Sequence, residues 1–428
     1  MRHGTYHRSV TMWTDRRVLI MGLGAFGGGV GVTRWLCEQG ADVTVTDLRP
    51  ADELQDAIEA LGAVDCRFVF GQHHHNDFEQ AETVVVNPAV PCPWDNPYLL
   101  TTLAAGGTLT TEIRILIEQV DRTRCIGLTG TAGKSTTAAM THHLLEHAGL
   151  HTLIGGNIGG SLLGQLDDIT TESWIVLELS SAQLHWLDAD AHGWPGWSPA
   201  IAAITNIADN HLDWHGSVDH YIHSKETIFR YQQDGDVLLR GEAMPRTPLD
   251  LAVPGAHNQR NAALALAIAQ KVTDTEPTAL ANTLQFFPGL PHRLCAIDRG
   301  PNPRFFNDSK STTPEATVLA VESFKCPKRI HLIAGGYDKG VSLAAIASLA
   351  PTLAGCYLIG QTASTLAAQM PTDSEHCGTL EQAVQTALAR MQTNDILLLS
   401  PGCASWDQFS DYRERGERFS DLVRHLTI

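Results

Sequence analysis

At roughly 100–200 residues per domain, a chain of 428 residues implies about two to four domains, and 43% hydrophobic with 18% charged residues is enough apolar material to build their cores. A net charge of −17 excludes a nucleic-acid binder, because no basic face is available to neutralise phosphates. No apolar run is long enough to cross a membrane, and the first seventeen residues lack the apolar stretch of a secretory signal.

Residues 1–15 are expected to be a disordered leader, with Met12 a candidate start. The first third then alternates short apolar runs with helical periodicity. Val18–Met21, Asp42–Asp47 and Thr83–Val86 read as strands, and Val30–Gln39 as a helix. Gly22-Leu23-Gly24-Ala25-Phe26-Gly27 lies between the first strand and that helix, and Asp47 closes the second strand. This is the G-x-G-x-x-G geometry for a pyrophosphate at a helix N-terminus. Alone it fits a nicotinamide cofactor, with Asp47 and Arg49 able instead to hold a uracil or ribose and a phosphate. His73-His74-His75 is read as a solvated loop, since three consecutive residues cannot share one face of a helix or strand.

Thr110–Val120 reads as a connecting helix, with a domain boundary at Glu112. Beyond it, Cys125–Leu128 is a strand, Thr129-Gly130-Thr131-Ala132-Gly133-Lys134-Ser135-Thr136 a glycine-rich loop, and Thr137–His147 a helix. Such a loop aims backbone N–H groups at a phosphate. Lys134 would reach the outer phosphates, and Ser135 or Thr136 would ligate Mg²⁺. The longer phosphate-loop pattern carries Gly five residues before Gly133. That position is Leu128, so this is a shorter variant.

The alternation continues with strands at Trp174–Leu177 and Ile201–Thr205 and a helix around Asn258–Lys271. Glu178-Leu179-Ser180-Ser181-Ala182-Gln183 sits beyond the carboxyl end of an apolar strand, where α/β sheets bind ligands, which places Glu178 to hold Mg²⁺. His211 and Lys225 complete a set with Lys134 that suits two Mg²⁺ ions and phosphoryl transfer. Gly289–Arg293 reads as a linker, followed by strands at Arg329–Ala334, Cys356–Ile359 and Asp395–Leu399 and a closing helix within Phe409–Leu426. Nine scattered cysteines with no C-x-x-C pair fit a reducing cytoplasm, and Cys403 is read as packing.

Taken together, the ordered blocks resemble the Mur ligases. They are Gly130–Ser135, Gly155–Gly159, Glu178–Gln183, Asn210–Asp213, Gly255–Asn261, Gly289–Arg293, Asn307–Thr312 and Ser400–Phe409, and the last two resemble the glutamate-adding branch. The resemblance implies an α/β chain of three domains: a Rossmann-like UDP-sugar-binding domain over residues 1–112, a P-loop ATPase domain over 113–289 and a Rossmann-like amino-acid-binding domain over 290–428. It implies an ATP-dependent amide ligase that adds glutamate, D-glutamate in the first instance, to UDP-N-acetylmuramoyl-L-alanine through an acyl phosphate. Glu178, His211 and Ser135 are implied as ligands of two Mg²⁺ ions. Lys225 is implied as a CO₂-carbamylated ligand, chemistry that needs a neutral amine. Asn258, Asn261, Arg293 and Asp308 are implied to bind ATP with Gly130, Thr131, Gly133, Lys134, Ser135 and Thr136. Asp47, Arg49 and Asn157 are implied to contact the UDP-sugar. Thr312, Lys339, Ser405 and Tyr412 are implied to hold the amino acid, and Ser180, Gln183, Lys310 and Trp406 are further substrate contacts.

The family often places a small hydroxylic residue where Phe26 stands, and an aromatic one at Ala182. Trp406 and Tyr412 are bulkier or more polar than usual beside the amino acid, so L-glutamate or another amino acid stays open as an alternative. The stretch from Lys225 to Asn258 is shorter than usual. A folate-type polyglutamate ligase and a nicotinamide oxidoreductase are the competing readings. The expected partners are small molecules only, with neither nucleic acid nor membrane, and the expected state is a cytoplasmic monomer.

Overall fold

The computed structural model describes residues 12–24, 27–189, 193–208, 212–244, 248–297, 304–370 and 374–426. Its first sheet holds β1 (Arg17–Met21), β2 (Asp42–Asp47), β3 (Arg67–Phe70), β4 (Thr83–Val86) and β5 (Thr108–Thr110), all parallel and in the order β3-β2-β1-β4-β5. Central strands such as β4, Thr-Val-Val-Val, are buried at every position, as a parallel sheet covered on both faces requires. The helix Gly28–Glu38 covers one face with Val30, Val32, Trp35 and Leu36.

Two expectations change here. Residues 12–15 do not belong with a disordered leader: Trp13 is buried in the core with its ring edge-on to Trp35, and the Asp15 N–H donates to the Gly40 carbonyl. Residues 1–11 lie outside the described residues. Thr110 belongs to β5 rather than to the connecting helix, which runs Glu112–Ile117; pairing of Thr110 with Val85 at the sheet edge outweighs the helical pattern that follows.

The second sheet holds β6 (Cys125–Thr129), β7 (Thr152–Gly156), β8 (Trp174–Glu178), β9 (Ile201–Ile204) and β10 (Val237–Arg240), again all parallel, in the order β10-β9-β6-β8-β7. From β6 the chain leaves toward β7, and from β9 it leaves the opposite way toward β10. The carboxyl ends of β6 and β9 therefore flank a topological switch point, the usual place for a ligand crevice. The third sheet holds β11 (Cys295–Ala296), β12 (Phe305–Asn307), β13 (Ile330–Gly335), β14 (Gly355–Ile359), β15 (Ser374–Gly378) and β16 (Ile396–Leu399), ordered β11-β12-β16-β13-β14-β15 and parallel except for β11. The chain is thus α/β, with three domains each built on one sheet.

Packing divides the chain into two compact units. Met1–Pro245 with Ala263–Thr275 forms one and carries the first two sheets; Arg246–Ala262 with Glu276–Ile428 forms the other and carries the third. Aromatic packing helps join the two sheets of the first unit. Trp214 donates its indole N–H to the Pro88 carbonyl (3.0 Å), and Trp94 meets Trp214, His185 and His220 at 5.9, 5.4 and 4.6 Å between ring centroids. The histidine run is not simply solvated. His75 opens the helix His75–Gln80 and stacks on Tyr98, while His73 pairs through Nδ1 with the Thr46 hydroxyl (2.8 Å).

Glu112, between the first and second sheets, is buried and accepts a hydrogen bond from Ser161 Oγ at 2.5 Å. Burial pushes its carboxyl up to about 7, with the Ser161 bond pulling weakly the other way. The folded chain therefore holds this proton through a range, from about 4.5 to about 7, in which the unfolded chain has lost it. Stability falls as pH rises through that window and stays reduced above it. Glu112→Gln keeps an acceptor for Ser161 without the charge. Thermal unfolding is expected to show it more stable than wild type at pH 8, by at most about 3 kcal/mol, and no more stable at pH 4.

Candidate active site

The loop between β6 and the helix Lys134–His147 is held from beneath by the end of β9. Asn206 accepts from the Thr131 N–H with its carbonyl (2.8 Å), and its side-chain amide pairs with both backbone groups of Ala132 (3.1 and 2.8 Å). Thr205 Oγ1 donates to the Ala132 carbonyl (2.6 Å). The approach is close enough to dictate Gly130: a Cβ there would lie 2.0 Å from Thr205 Oγ1, at a φ of +148°. Beyond Gly133 the helix begins, and its first N–H groups, from Lys134, Ser135 and Thr136, have no intrahelical acceptor. They and the dipole make an anion site. Lys134 Nζ folds back to the Thr131 carbonyl (3.2 Å).

Beside this loop, β8 pairs in register with β6, Leu128 opposite Glu178. Glu178 is 1% exposed. One of its carboxylate oxygens accepts from Asn157 Nδ2 (2.9 Å); the other, Oε2, is buried with no hydrogen-bond partner. A buried carboxylate oxygen without a donor is costly unless a cation meets it. Hard oxygen ligands are what Mg²⁺ takes, so Glu178 fits a magnesium ligand. The Asn157 loop is brought in by Gly156, whose added Cβ would lie 2.3 Å from the Glu178 carbonyl.

Lys225, 2% exposed on the helix Val218–Arg230, reaches the same place. Its Nζ donates to the Gly130 carbonyl (2.8 Å) and lies 4.8 Å from the centroid of the Tyr221 ring. The Tyr221 hydroxyl in turn shares a hydrogen bond with Thr131 Oγ1 (2.8 Å). Burial pushes the Lys225 ammonium down to about 7, reinforced by the Lys134 charge and opposed by Glu178. Lys134, Glu178, Asn157 and Lys225 are thus brought together. Ser180 and Gln183 are adjacent but bonded to each other as the capping box of the helix Ser181–His185. His211 lies outside the described residues. Asn206, Thr205 and Tyr221 have no role in the sequence reading; the position of Thr205 and Asn206 beyond a buried strand was the available signal.

In the first sheet, Asp47 and Arg49 are joined, Arg49 Nη2 donating to Asp47 Oδ2 (3.0 Å), and the same carboxylate accepts the Leu23 N–H of the glycine loop (3.1 Å). Burial opposes ionisation of Asp47, but the Arg49 bonds outweigh it and hold the carboxyl below its usual value. Asn87, at the end of β4, also ties this loop by donating to the Gly22 carbonyl (3.1 Å). Phe26 is outside the described residues.

The second unit holds the remaining residues. Asn258 and Asn261 lie together on the helix Ala256–Val272, Asn261 Nδ2 donating to Asn258 Oδ1 (3.4 Å). Asp308 is committed within its own domain: it accepts from the Leu294 N–H (3.0 Å), Ser311 Oγ (2.5 Å) and Ser400 Oγ (2.7 Å). Burial pushes its carboxyl up to about 6 against those bonds and the Arg293 charge. Thr312 and Lys339 line one small cavity with Tyr337, Thr362, Gly402 and Cys403. Lys339 Nζ lies 5.1 Å from the Trp406 ring centroid, and Trp406 is 61% exposed. Lys310 Nζ donates to the Tyr412 hydroxyl (3.1 Å). Behind this surface the buried Arg415 bonds the carbonyls of Ser309, Cys403 and Ala404 (2.9, 3.1 and 3.1 Å), which fixes the backbone leading to Lys310 and Ser405.

Comparison with known proteins gives three family-model matches: the Mur ligase MurD-like N-terminal domain over residues 16–110, the Mur ligase middle domain over 128–247 and the Mur ligase glutamate ligase domain over 292–403. A UDP-N-acetylmuramoylalanine–D-glutamate ligase of Roseiflexus sp. (strain RS-1) is 36% identical, over 96% of this chain and 99% of that protein. The enzyme of the same name from Geobacillus kaustophilus is 32% identical, over 97% and 98%. Among solved structures, UDP-N-acetylmuramate-alanine ligase MurC from Thermotoga maritima is similar in fold, with a TM-score of 0.56 at 17% identity, covering 96% of this chain and 99% of that one.

The Lys225 environment makes a direct stability prediction. Because the folded chain binds this proton less tightly than the unfolded chain, stability is reduced below pH 7 and recovers as pH rises from about 7 toward 10.5. Lys225→Met removes the burial cost. In CO₂-free buffer its melting temperature is expected to exceed that of wild type at pH 6–7, with the difference shrinking toward pH 10.

Proposed function

Since the chain belongs to the Mur ligase family, we propose that it joins D-glutamate to UDP-N-acetylmuramoyl-L-alanine in an ATP-dependent reaction of peptidoglycan precursor synthesis. The observation that carries this is similarity to D-glutamate ligases over nearly the full length of both chains. The MurD-like N-terminal match over residues 16–110 assigns the first glycine loop to this family and removes the nicotinamide reading. The enzyme is an amide ligase that uses ATP, and no helix among the described residues is long and apolar enough to cross a membrane.

In this reading the alanyl carboxylate attacks the γ-phosphoryl group of ATP, giving an acyl phosphate and ADP. The nitrogen of glutamate then bonds to the activated carbonyl carbon as the bond to phosphate breaks, with loss of the amine proton. The loop Gly130–Thr136 cradles the phosphates with the N–H groups at the helix start, and Lys134 swings from the Thr131 carbonyl to the outer phosphate oxygens, where charge develops. Two Mg²⁺ ions would be held by Glu178, Ser135, His211 and Lys225, and would neutralise phosphate charge. Lys225 serves as its carbamate. A neutral amine is the form that adds CO₂, and burial against Gly130 and Tyr221 favours that form. Asp47, Arg49 and Asn157 contact the UDP-sugar. Asn258, Asn261 and Arg293 contact ATP, with Asp308 bracing Arg293's neighbour Leu294. Thr312, Lys339, Ser405, Tyr412, Lys310 and Trp406 hold the amino acid, whose two carboxylates suit the two lysines.

A second reading, in which L-glutamate or another amino acid is used, draws on Trp406 and Tyr412, which engage Lys339 and Lys310. One assay separates the two. ATP-dependent phosphate release is measured with UDP-N-acetylmuramoyl-L-alanine and a panel of amino acids. D-glutamate is expected to support release, and release with L-glutamate but not its enantiomer would replace the first reading with the second. Lys225→Ala is expected to lower kcat by about 100-fold or more, with part of the loss restored by millimolar short-chain carboxylates that supply the missing oxygens. Undiminished activity of that variant would remove the carbamate role.

A further inference from the structure

His215 belongs to none of the residues considered above, yet it lies between the two elements that carry the candidate metal ligands. It is 2% exposed, at the end of the short helix Leu212–His215. Its Nε2 pairs with Ser181 Oγ at 2.9 Å, in the first turn after Glu178. Its ring packs edge-on against Tyr221, with centroids 5.3 Å apart. Tyr221 is the residue that bonds Thr131 of the phosphate loop and underlies the Lys225 amine. On its far side, Nδ1 of His215 faces Nδ1 of His220 at 2.9 Å, and His220 is wedged against Trp94. A hydrogen bond between two like ring nitrogens needs a proton on only one of them. This contact therefore orients both rings, and which of them carries the proton sets whether His215 Nε2 accepts from Ser181 or donates to it.

We propose that His215 is a positioning residue that sets the spacing between the Glu178 strand end and the helix bearing Tyr221 and Lys225. This rests on the reading of Glu178 and Lys225 as ligands of the divalent ions. The imidazole is the right group for the place. It is rigid, it offers one polar edge to Ser181 and a second to His220, and its apolar flank fills the space against Tyr221. An aliphatic residue of similar size would keep the packing and lose both polar ties, leaving the first turn after Glu178 free to shift relative to Lys225. His215 acts through Ser181 and Tyr221, which share segments with Glu178 and Lys225, so its effect is on ion affinity rather than on chemistry.

The test measures divalent-ion binding directly, by electron paramagnetic resonance of Mn²⁺ in the presence of a non-hydrolysable ATP analogue. The full-length chain is used, with circular dichroism and melting temperature as checks on folding. His215→Leu is expected to weaken Mn²⁺ binding about tenfold. His215→Gln, whose amide can still reach Ser181, recovers part of the loss. Glu178→Gln is the reference for a lost ligand. If Glu178→Gln abolishes binding while folded His215→Leu stays within twofold of wild type, the inference is overturned and the ligand reading stands. If Glu178→Gln binds as wild type does, the ligand reading fails and this inference with it. Should His215→Leu not fold, Ser181→Ala decides. It removes only the hydroxyl, so weaker Mn²⁺ binding supports the tie and unchanged binding overturns it.

Discussion

The pairing of β8 with β6 is the constraint on which the candidate site depends. Leu128 sits opposite Glu178, so the strand that ends in the phosphate loop and the strand that ends in the carboxylate finish side by side. A slip of one residue would move every side chain of β8 to the other face and carry Glu178 away from the loop. Both strands are buried over almost their whole length, so a slip would unpack the side chains on both faces of the sheet at once. Everything else is arranged around that pair of ends. Asn157 takes one oxygen of Glu178, β9 contributes Thr205 and Asn206 under the loop, and the helix Val218–Arg230 brings Lys225 across the top. The unsatisfied Glu178 oxygen and the Lys225 amine at about 7 are two consequences of one decision, to place ionisable groups in a site that excludes water.

Much of this was legible in the amino-acid sequence because the central strands advertise themselves. Thr83–Val86, Cys125–Thr129 and Ile396–Leu399 are short apolar runs flanked by turn residues, and parallel sheets demand that pattern. Most strands that escaped lie at sheet edges, and the interior β12 escaped because it is only three residues long. β3 and β10 offer only three apolar residues each beside an arginine, and they are exposed or half-buried, so neither shows the long covered run of a central strand. β7 ends in Gly155 and Gly156, residues that argue against a strand until the close approach of Leu162 and the Glu178 backbone is known. Trp13 escaped because one buried tryptophan in a polar leader has no periodicity to mark it.

The site followed the same division. Lys134 and Glu178 could be read from loop and strand-end logic alone, because the chemistry is local. Lys225 could not. In isolation it is a helix lysine; it stands out only in company with Lys134, Glu178 and His211, and its carbamate role comes from the family resemblance. What marks it physically is long-range: 95 residues separate it from the Gly130 carbonyl that it bonds. His215 is the extreme case. Its partners come from Ser181, His220 and Tyr221, and no spacing rule connects them.

The C-terminal unit adds a different lesson through Asp308. One carboxylate gathers its own turn at Ser311, the Leu294 backbone and Ser400, 92 residues away. Moving any one of the three takes a donor from a buried carboxylate and so disturbs the other two. Trp406, 61% exposed, takes no part in those bonds, so a change of side chain there leaves the knot as it is.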